Sequence, residues 1–331
     1  MKEGLFEQSP LEATLAQTLH VAGAAELMGI KHTVVCDARD QPIAVHLPGL
    51  VHPGLAEDIA TSAANVLFED KNANLHVRNE PTIFPRSRLT GRPYPLLLGG
   101  FIHEAAIAAF NRPGFVCDDL QTVEEGRGDG VPHIDLMERL ESPDAEELGL
   151  NIHVTLAGEG TFRGAIIPDF GAVRELAEGI QACYQEIVRK AISDGNGMDM
   201  NDCVIRVRHE LIRAHQIMVG QAEGAIHPAL RAGAVILHTA LQEASPTIKL
   251  SPGDVLVFQG AANQARNCVP IVHDFDTTSP YRYYTAFRPR MIAKDVSERE
   301  NTKSDADRYV ADSLFYAGIA APGIPQQPYR F

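Results

Sequence analysis

From Leu148 to Pro168 the chain reads LGLNIHVTLAGEGTFRGAIIP, and this stretch limits the fold more than any other. Asn151, His153 and Thr155 alternate with Ile152, Val154 and Leu156, so a strand sends the two sets to opposite faces. Gly158 and Gly160 mark a turn before a second strand, TFRGAII. The period then changes. FGAVRELAEGIQACYQEIVRKAI (170–192) and NDCVIRVRHELIRAHQIMVGQ (201–221) follow helical spacing, divided by the loop SDGNGMDM. Strand-like segments return with AGAVILHTA, IKLSPGDVLVFQG and YRYYTAFRPRMI. A pattern that runs strand, helix, strand predicts an α+β fold, with an all-β element split by a helical insertion.

The N-terminal third mixes both kinds of element. Helices are expected over 10–29, over 56–68 and in GGFIHEAAIAAFNRPG, and strands in HTVVCDA and PIAVHL. FVCDDLQTVEE and VPHIDLMERL read as short strands around the loop GRGDG, and one helix is expected near Ala306 to Tyr316. No repeat or linker separates independent units. The expected division is an α/β region at 1–113, a core at 114–290 with its insertion at about 168–230, and a tail at 291–331, all in one integrated domain.

Composition narrows the function classes. The 331 residues can bury a sizeable core. A formal charge of −14 disfavours general nucleic-acid binding. Five cysteines without C-x-x-C spacing suit a reducing cytosol rather than a disulfide framework, and the N-terminus has no apolar signal core. The most apolar run, Pro95 to Phe110, is broken by His103 and Glu104, so no membrane span is expected. The expected location is cytoplasmic, and the oligomeric state is open.

His133-Ile134-Asp135 carries the first chemical signal. On a strand, residues i and i+2 share a face, so an imidazole and a carboxylate sit side by side and can chelate one metal ion. The third donor must come from elsewhere, and His273, at the end of a short apolar run, is the plausible one. Two His and one carboxylate cover one face of octahedral Fe(II) and leave the other for cosubstrate and oxygen. His153 competes as second histidine ligand, and Asn267 is a rival for the distal position, though an amide is a poor iron ligand. Nine residues after His273 comes Arg282, whose guanidinium suits a two-pronged salt bridge to the carboxylate of a small acid. Tyr284 shares its face, about 6.6 Å along the strand. The plain alternatives are a solvated loop end at His133 and surface pairing of Arg282 with Asp274 or Asp276. Arg78, Arg86, Arg88 and Arg92 form a basic cluster that either pairs with the acidic remainder or attracts an anionic substrate. His209 and His215 are expected to face solvent, and His238 to be a satisfied core histidine.

In order, VPHID, LNIHVTLAGEGTFR, SPGDVLVFQG and PIVHDFDTTSPYRYYTAF resemble the Fe(II)/2-oxoglutarate-dependent dioxygenases. The resemblance covers roughly residues 114–290. It implies a double-stranded β-helix, or jelly roll, with iron on His133, Asp135 and His273 and the far carboxylate of 2-oxoglutarate on Arg282. Tyr284, as a donor to the same carboxylate, and Asn151 are further candidates for cosubstrate binding. The implied activity is hydroxylation or desaturation of a small-molecule substrate with O₂. Asp135 disfavours halogenation, because related halogenases leave that position empty for halide. This chain departs from the family twice. The interval from Asp135 to His273 is more than double the usual one, which the helical insertion would account for. Tyr284 stands where the family often has Ser or Thr. Two other readings stay open: a cupin-like metalloenzyme that does not use 2-oxoglutarate, and a metal-free jelly-roll binding module.

Overall fold

The computed structural model describes residues 9–69, 95–110, 114–126, 132–134, 149–167, 170–194, 200–260 and 268–293. It is a mixed α+β structure with two antiparallel sheets. Helix α1 (Pro10–Leu27) starts on a capping box: Ser9 Oγ accepts from the Glu12 backbone N–H, and the Glu12 carboxylate accepts from the Ser9 N–H. Strands β1 (Thr33–Cys36) and β2 (Pro42–Leu47) follow, then α2 (Pro53–Glu69) and α3 (Leu96–Phe110). Strands β3 (Phe115–Gly126), β4 (Leu150–Ala157) and β5 (Gly160–Ile166) lead into α4 (Phe170–Ser193), α5 (Met200–Met218) and α6 (Arg231–Gln242). The chain closes with β6 (Ile248–Leu250), β7 (Val255–Gln259), β8 (Ile271–Thr277) and β9 (Arg282–Ala293).

The larger sheet runs β1-β2-β7-β4-β9-β3, and the smaller runs β6-β5-β8. An antiparallel bridge between His133 and His273 adds one more pairing, on β8 of the smaller sheet. Alternation distributes the side chains into layers. Val45, Leu47, Ile152, Val154, Val257 and Phe287 pack outward against Ile59, Phe101 and Ile102 of α2 and α3. Ala44, Leu256 and Phe258 face inward and meet Phe162, Ile166 and Ile271 of the smaller sheet. The far face of that sheet, with Ala165 and Val272, is covered by Val173 and Leu176 of α4 and Leu237 and Leu241 of α6. The layers are therefore helix, sheet, sheet, helix.

The segment AGAVILHTA, expected as a strand, is the body of α6. Its buried residues Gly233, Ala234, Leu237 and Leu241 repeat at helical spacing and seat on α4, while Val235 is exposed. A short apolar run does not distinguish a strand from a buried helix, and the tertiary contact decided it. IKLSPGDVLVFQG is not one strand but two, β6 and β7, placed in different sheets. The helix expected near Ala306 to Tyr316 and the arginines at 78, 86, 88 and 92 lie outside the described residues. Among the described residues no helix is long and apolar enough to cross a membrane.

Asp254 ties the β6–β7 turn to the β2–α2 connection. Its carboxylate accepts from Gly49 N at 2.9 Å and Ser251 N at 3.0 Å, and His46 Nε2 lies 3.3 Å away. Burial pushes this carboxyl up, but the His46 imidazole and the two backbone donors outweigh it and hold the group below the usual range. A depressed carboxyl contributes stability above its unfolded pKa and loses it as pH falls through its folded value. Asp254→Ala is expected to cost on the order of 2 kcal/mol at neutral pH, because two backbone donors lose their acceptor. Urea unfolding as a function of pH should show the wild-type advantage shrinking toward acid.

Candidate functional site

β4 carries an unusual combination: it is buried on both faces, yet one face is polar. Asn151, His153 and Thr155 are all buried. The polar side of an alternating strand normally faces water. Here it faces the space between the two sheets, the same side as Phe258 and Leu256, their partners on β7.

β8 supplies the opposite wall. Ile271, His273 and Phe275 point inward, while Asp274 points out and is held by Arg163, with Nη2 to Oδ2 at 2.9 Å. The plain alternative that Asp274 serves as the surface partner of Arg282 therefore does not hold. His273 is almost fully buried among Phe258, Phe275 and Phe162, at ring separations of 4.6, 5.5 and 6.4 Å. Its Nδ1 lies 3.0 Å from the Ile271 carbonyl. A carbonyl only accepts, so Nδ1 carries the proton and the ring lone pair sits on Nε2, the tautomer a metal ligand needs. His133 exchanges two backbone hydrogen bonds of 3.0 Å with His273, and the two rings lie 4.4 Å apart. Sequence position had set these two histidines far apart; the bridge makes them neighbours.

Asp135 and Asn267 lie outside the described residues. Among the described residues, no cluster of three or more His, Cys, Asp or Glu is gathered to hold a metal ion, so the described site contributes a histidine pair. Two adjoining imidazoles, one with its tautomer fixed beside aromatic rings, can supply two of the donors of a first-row metal site.

Arg282 opens β9 and is 2% exposed. Its guanidinium carbon lies 5.1 Å from the Phe275 ring centre and 5.0 Å from that of Tyr284. Nε and Nη1 are buried and have no hydrogen-bond partner. Burial pushes the group down to about 10, against the pull of Tyr284 and Asp276, so it remains a cation at neutral pH. A buried cation with unsatisfied donors is costly unless an anion completes it. The β4–β5 turn is shaped around it. Gly158 adopts φ +72°, and a Cβ there would run into the Tyr281 carbonyl; a Cβ on Gly160 would lie 2.6 Å from Arg282 Nη1 and 2.9 Å from its Cδ.

His153 is stacked between Phe275, at 4.4 Å and 18°, and Tyr284, at 4.3 Å and 22°. Burial, followed by the charges of Arg282, His273 and Arg288, holds it well below the ordinary histidine range, so the ring is neutral. The structure thus gathers two groups around Phe275: the His133–His273 pair, and Arg282 with Tyr284 and His153. Asn151 lies on the same inward face of β4. His215 and His238 belong elsewhere, on α5 and α6, with rings 6.5 Å apart. His215 is half-buried rather than solvent-facing, and burial lowers its pKa despite the pull of Asp274. His238 meets Gln242 at 3.1 Å.

Sequence reasoning passed over Phe275 and the space-making role of Gly160. The signal for Phe275 was present, since it stands two residues after His273 and must share its face. Gly160 gave no signal beyond a turn. No protein-family model matches this chain, and no curated protein matches it.

Proposed function

We propose that the chain is a non-haem Fe(II)/2-oxoglutarate-dependent oxygenase that hydroxylates or desaturates a small molecule. The observation that carries the reading is Arg282: a buried guanidinium with unpartnered donors, in the same inter-sheet space as the buried His273 and its neighbour His133. An acid is wanted at one end of that space and a metal at the other. A molecule with a carboxylate at one end and a metal-chelating keto-acid at the other spans both.

Strand pairing supports a jelly roll beneath the site. Counting the His133 segment as a strand, the described residues hold eight segments from β3 to β9. The first pairs with the last (β3·β9), the second with the seventh (His133·His273), the third with the sixth (β4·β7), and the fourth with the fifth (β5·β6). That is one long antiparallel hairpin. The further pairings β4·β9 and β5·β8 arise when such a hairpin is wound into two facing sheets.

In this reading His133, Asp135 and His273 hold the iron, and Arg282 takes the distal carboxylate. The iron held there would, with 2-oxoglutarate and O₂, supply the oxidising power for C–H oxidation, with 2-oxoglutarate converted to succinate and CO₂. The protein's part is placement and exclusion of water. Phe162, Phe258 and Phe275 wall His273, and the Arg282 clamp fixes the orientation of the cosubstrate. The test is O₂ consumption by the iron-loaded protein: it should depend on 2-oxoglutarate and yield succinate, and equal consumption without 2-oxoglutarate would reject the reading.

Gly160→Ala gives a second check. The added methyl overlaps Arg282 and also the Asp276 carbonyl of β8, so iron content is measured alongside to show that His273, three residues earlier, keeps its place. Displacing the guanidinium should raise the 2-oxoglutarate Km about tenfold, the loss of roughly 1.4 kcal/mol of a charge-assisted contact.

A further inference from the structure

Three neighbouring side chains between the sheets hold buried polar atoms with no hydrogen-bond partner: Arg282 Nε and Nη1, His153 Nδ1 and Thr155 Oγ1. Folded proteins leave few such atoms, and a cluster of them marks a place where a bound group supplies the missing partners. His153 and Arg282 are neighbours by two routes, and Thr155 joins them by one. Thr155 pairs with Tyr284 across β4 and β9, and the Tyr284 ring stacks on His153 and lies beneath the Arg282 guanidinium. Phe275 likewise touches both His153 and Arg282. The imidazole and the guanidinium therefore share the same two aromatic neighbours.

We infer that these residues form one three-point carboxylate seat, in which Thr155 Oγ1 and His153 Nδ1 hydrogen-bond the acid group whose charge Arg282 neutralises. The inference rests on the 2-oxoglutarate reading and adds two residues of β4 to it. The donor set selects the ligand. A guanidinium only donates, a hydroxyl donates readily, and a neutral imidazole has one N–H to give. A carboxylate offers about four lone-pair positions, enough for the guanidinium, the hydroxyl and the imidazole together. A neutral His153 also avoids repulsion with Arg282, which a third cation in the same slot would not.

The test is calorimetric binding of 2-oxoglutarate, and of glutarate, which keeps the distal carboxylate but lacks the keto group, to the Fe(II)-loaded protein without oxygen. Thr155→Val keeps the shape and removes the hydroxyl; His153→Phe keeps the stacked ring and removes both nitrogens. Each should weaken both ligands about five- to twentyfold, with iron content unchanged, and Thr155→Ser should restore binding to near the wild-type value. A purely structural role for His153 predicts that the Phe variant binds normally. If Arg282→Ala loses affinity while Thr155→Val and His153→Phe bind as wild type, the three-point seat is wrong and the 2-oxoglutarate reading stands. If the wild-type protein binds neither ligand, both fail. Should His153→Phe not fold, the Thr155→Val and Thr155→Ser pair decides.

Discussion

His273→Ala is expected to abolish turnover and to lower Fe(II) affinity by at least about a hundredfold. Loss of a partner that merely orients a metal ligand already costs about ten- to a hundredfold, and His273 is proposed as a ligand itself. Its ring is buried, and the Ile271 carbonyl fixes the tautomer, so no other group at that position can replace the nitrogen without moving β8. His133→Ala and Asp135→Ala should have effects of the same order. The measurement is iron content after anaerobic reconstitution, with an Fe(II) titration of each variant. His153→Ala is the informative comparison. It removes the competing histidine, whose ring is stacked between Phe275 and Tyr284, and it should retain iron. Normal iron in His273→Ala together with loss in His153→Ala would move the distal ligand to His153.

The sequence carried the layer pattern but not the enclosure. Alternation in β4 and β5 and the helical period of α4 and α5 were legible because each element runs long enough for its period to appear. AGAVILHTA was not, since its nine residues fit either period and only the seat on α4 made it a helix. The grouping of His133 with His273 follows from one antiparallel bridge, a long-range pairing that spacing along the chain does not encode. The inward face of β8 was readable: His273 and Phe275 alternate with Asp274 and Asp276. What alternation leaves undetermined is whether a polar face meets water or another sheet. On β4 it meets another sheet, and that difference turns three ordinary polar residues into candidates for a site.

Arg282 should report on both function and stability, in opposite directions. A charge-assisted, two-pronged contact to a carboxylate contributes on the order of 1.5–3 kcal/mol. Arg282→Ala should therefore raise the 2-oxoglutarate Km roughly ten- to a hundredfold at unchanged iron content. The guanidinium is already out of water before any ligand arrives, with two donors unsatisfied, so its desolvation is a cost of folding and not of binding. Arg282→Met keeps much of the volume and deletes the buried charge. Without ligand, its Tm should equal or exceed that of the wild type, a stability gained where a binding group is given up. Adding 2-oxoglutarate at about a hundred times the wild-type Kd should stabilise the wild type by about 2.7 kcal/mol and Arg282→Met by only about 0.4–1.4 kcal/mol, as a ten- to hundredfold loss of affinity requires. Arg288, half-buried and six residues further along the same face of β9, is the control. An effect of Arg288→Ala without one of Arg282→Ala would shift the cosubstrate along the strand, and an effect of neither would remove the chemical basis for assigning 2-oxoglutarate to this protein.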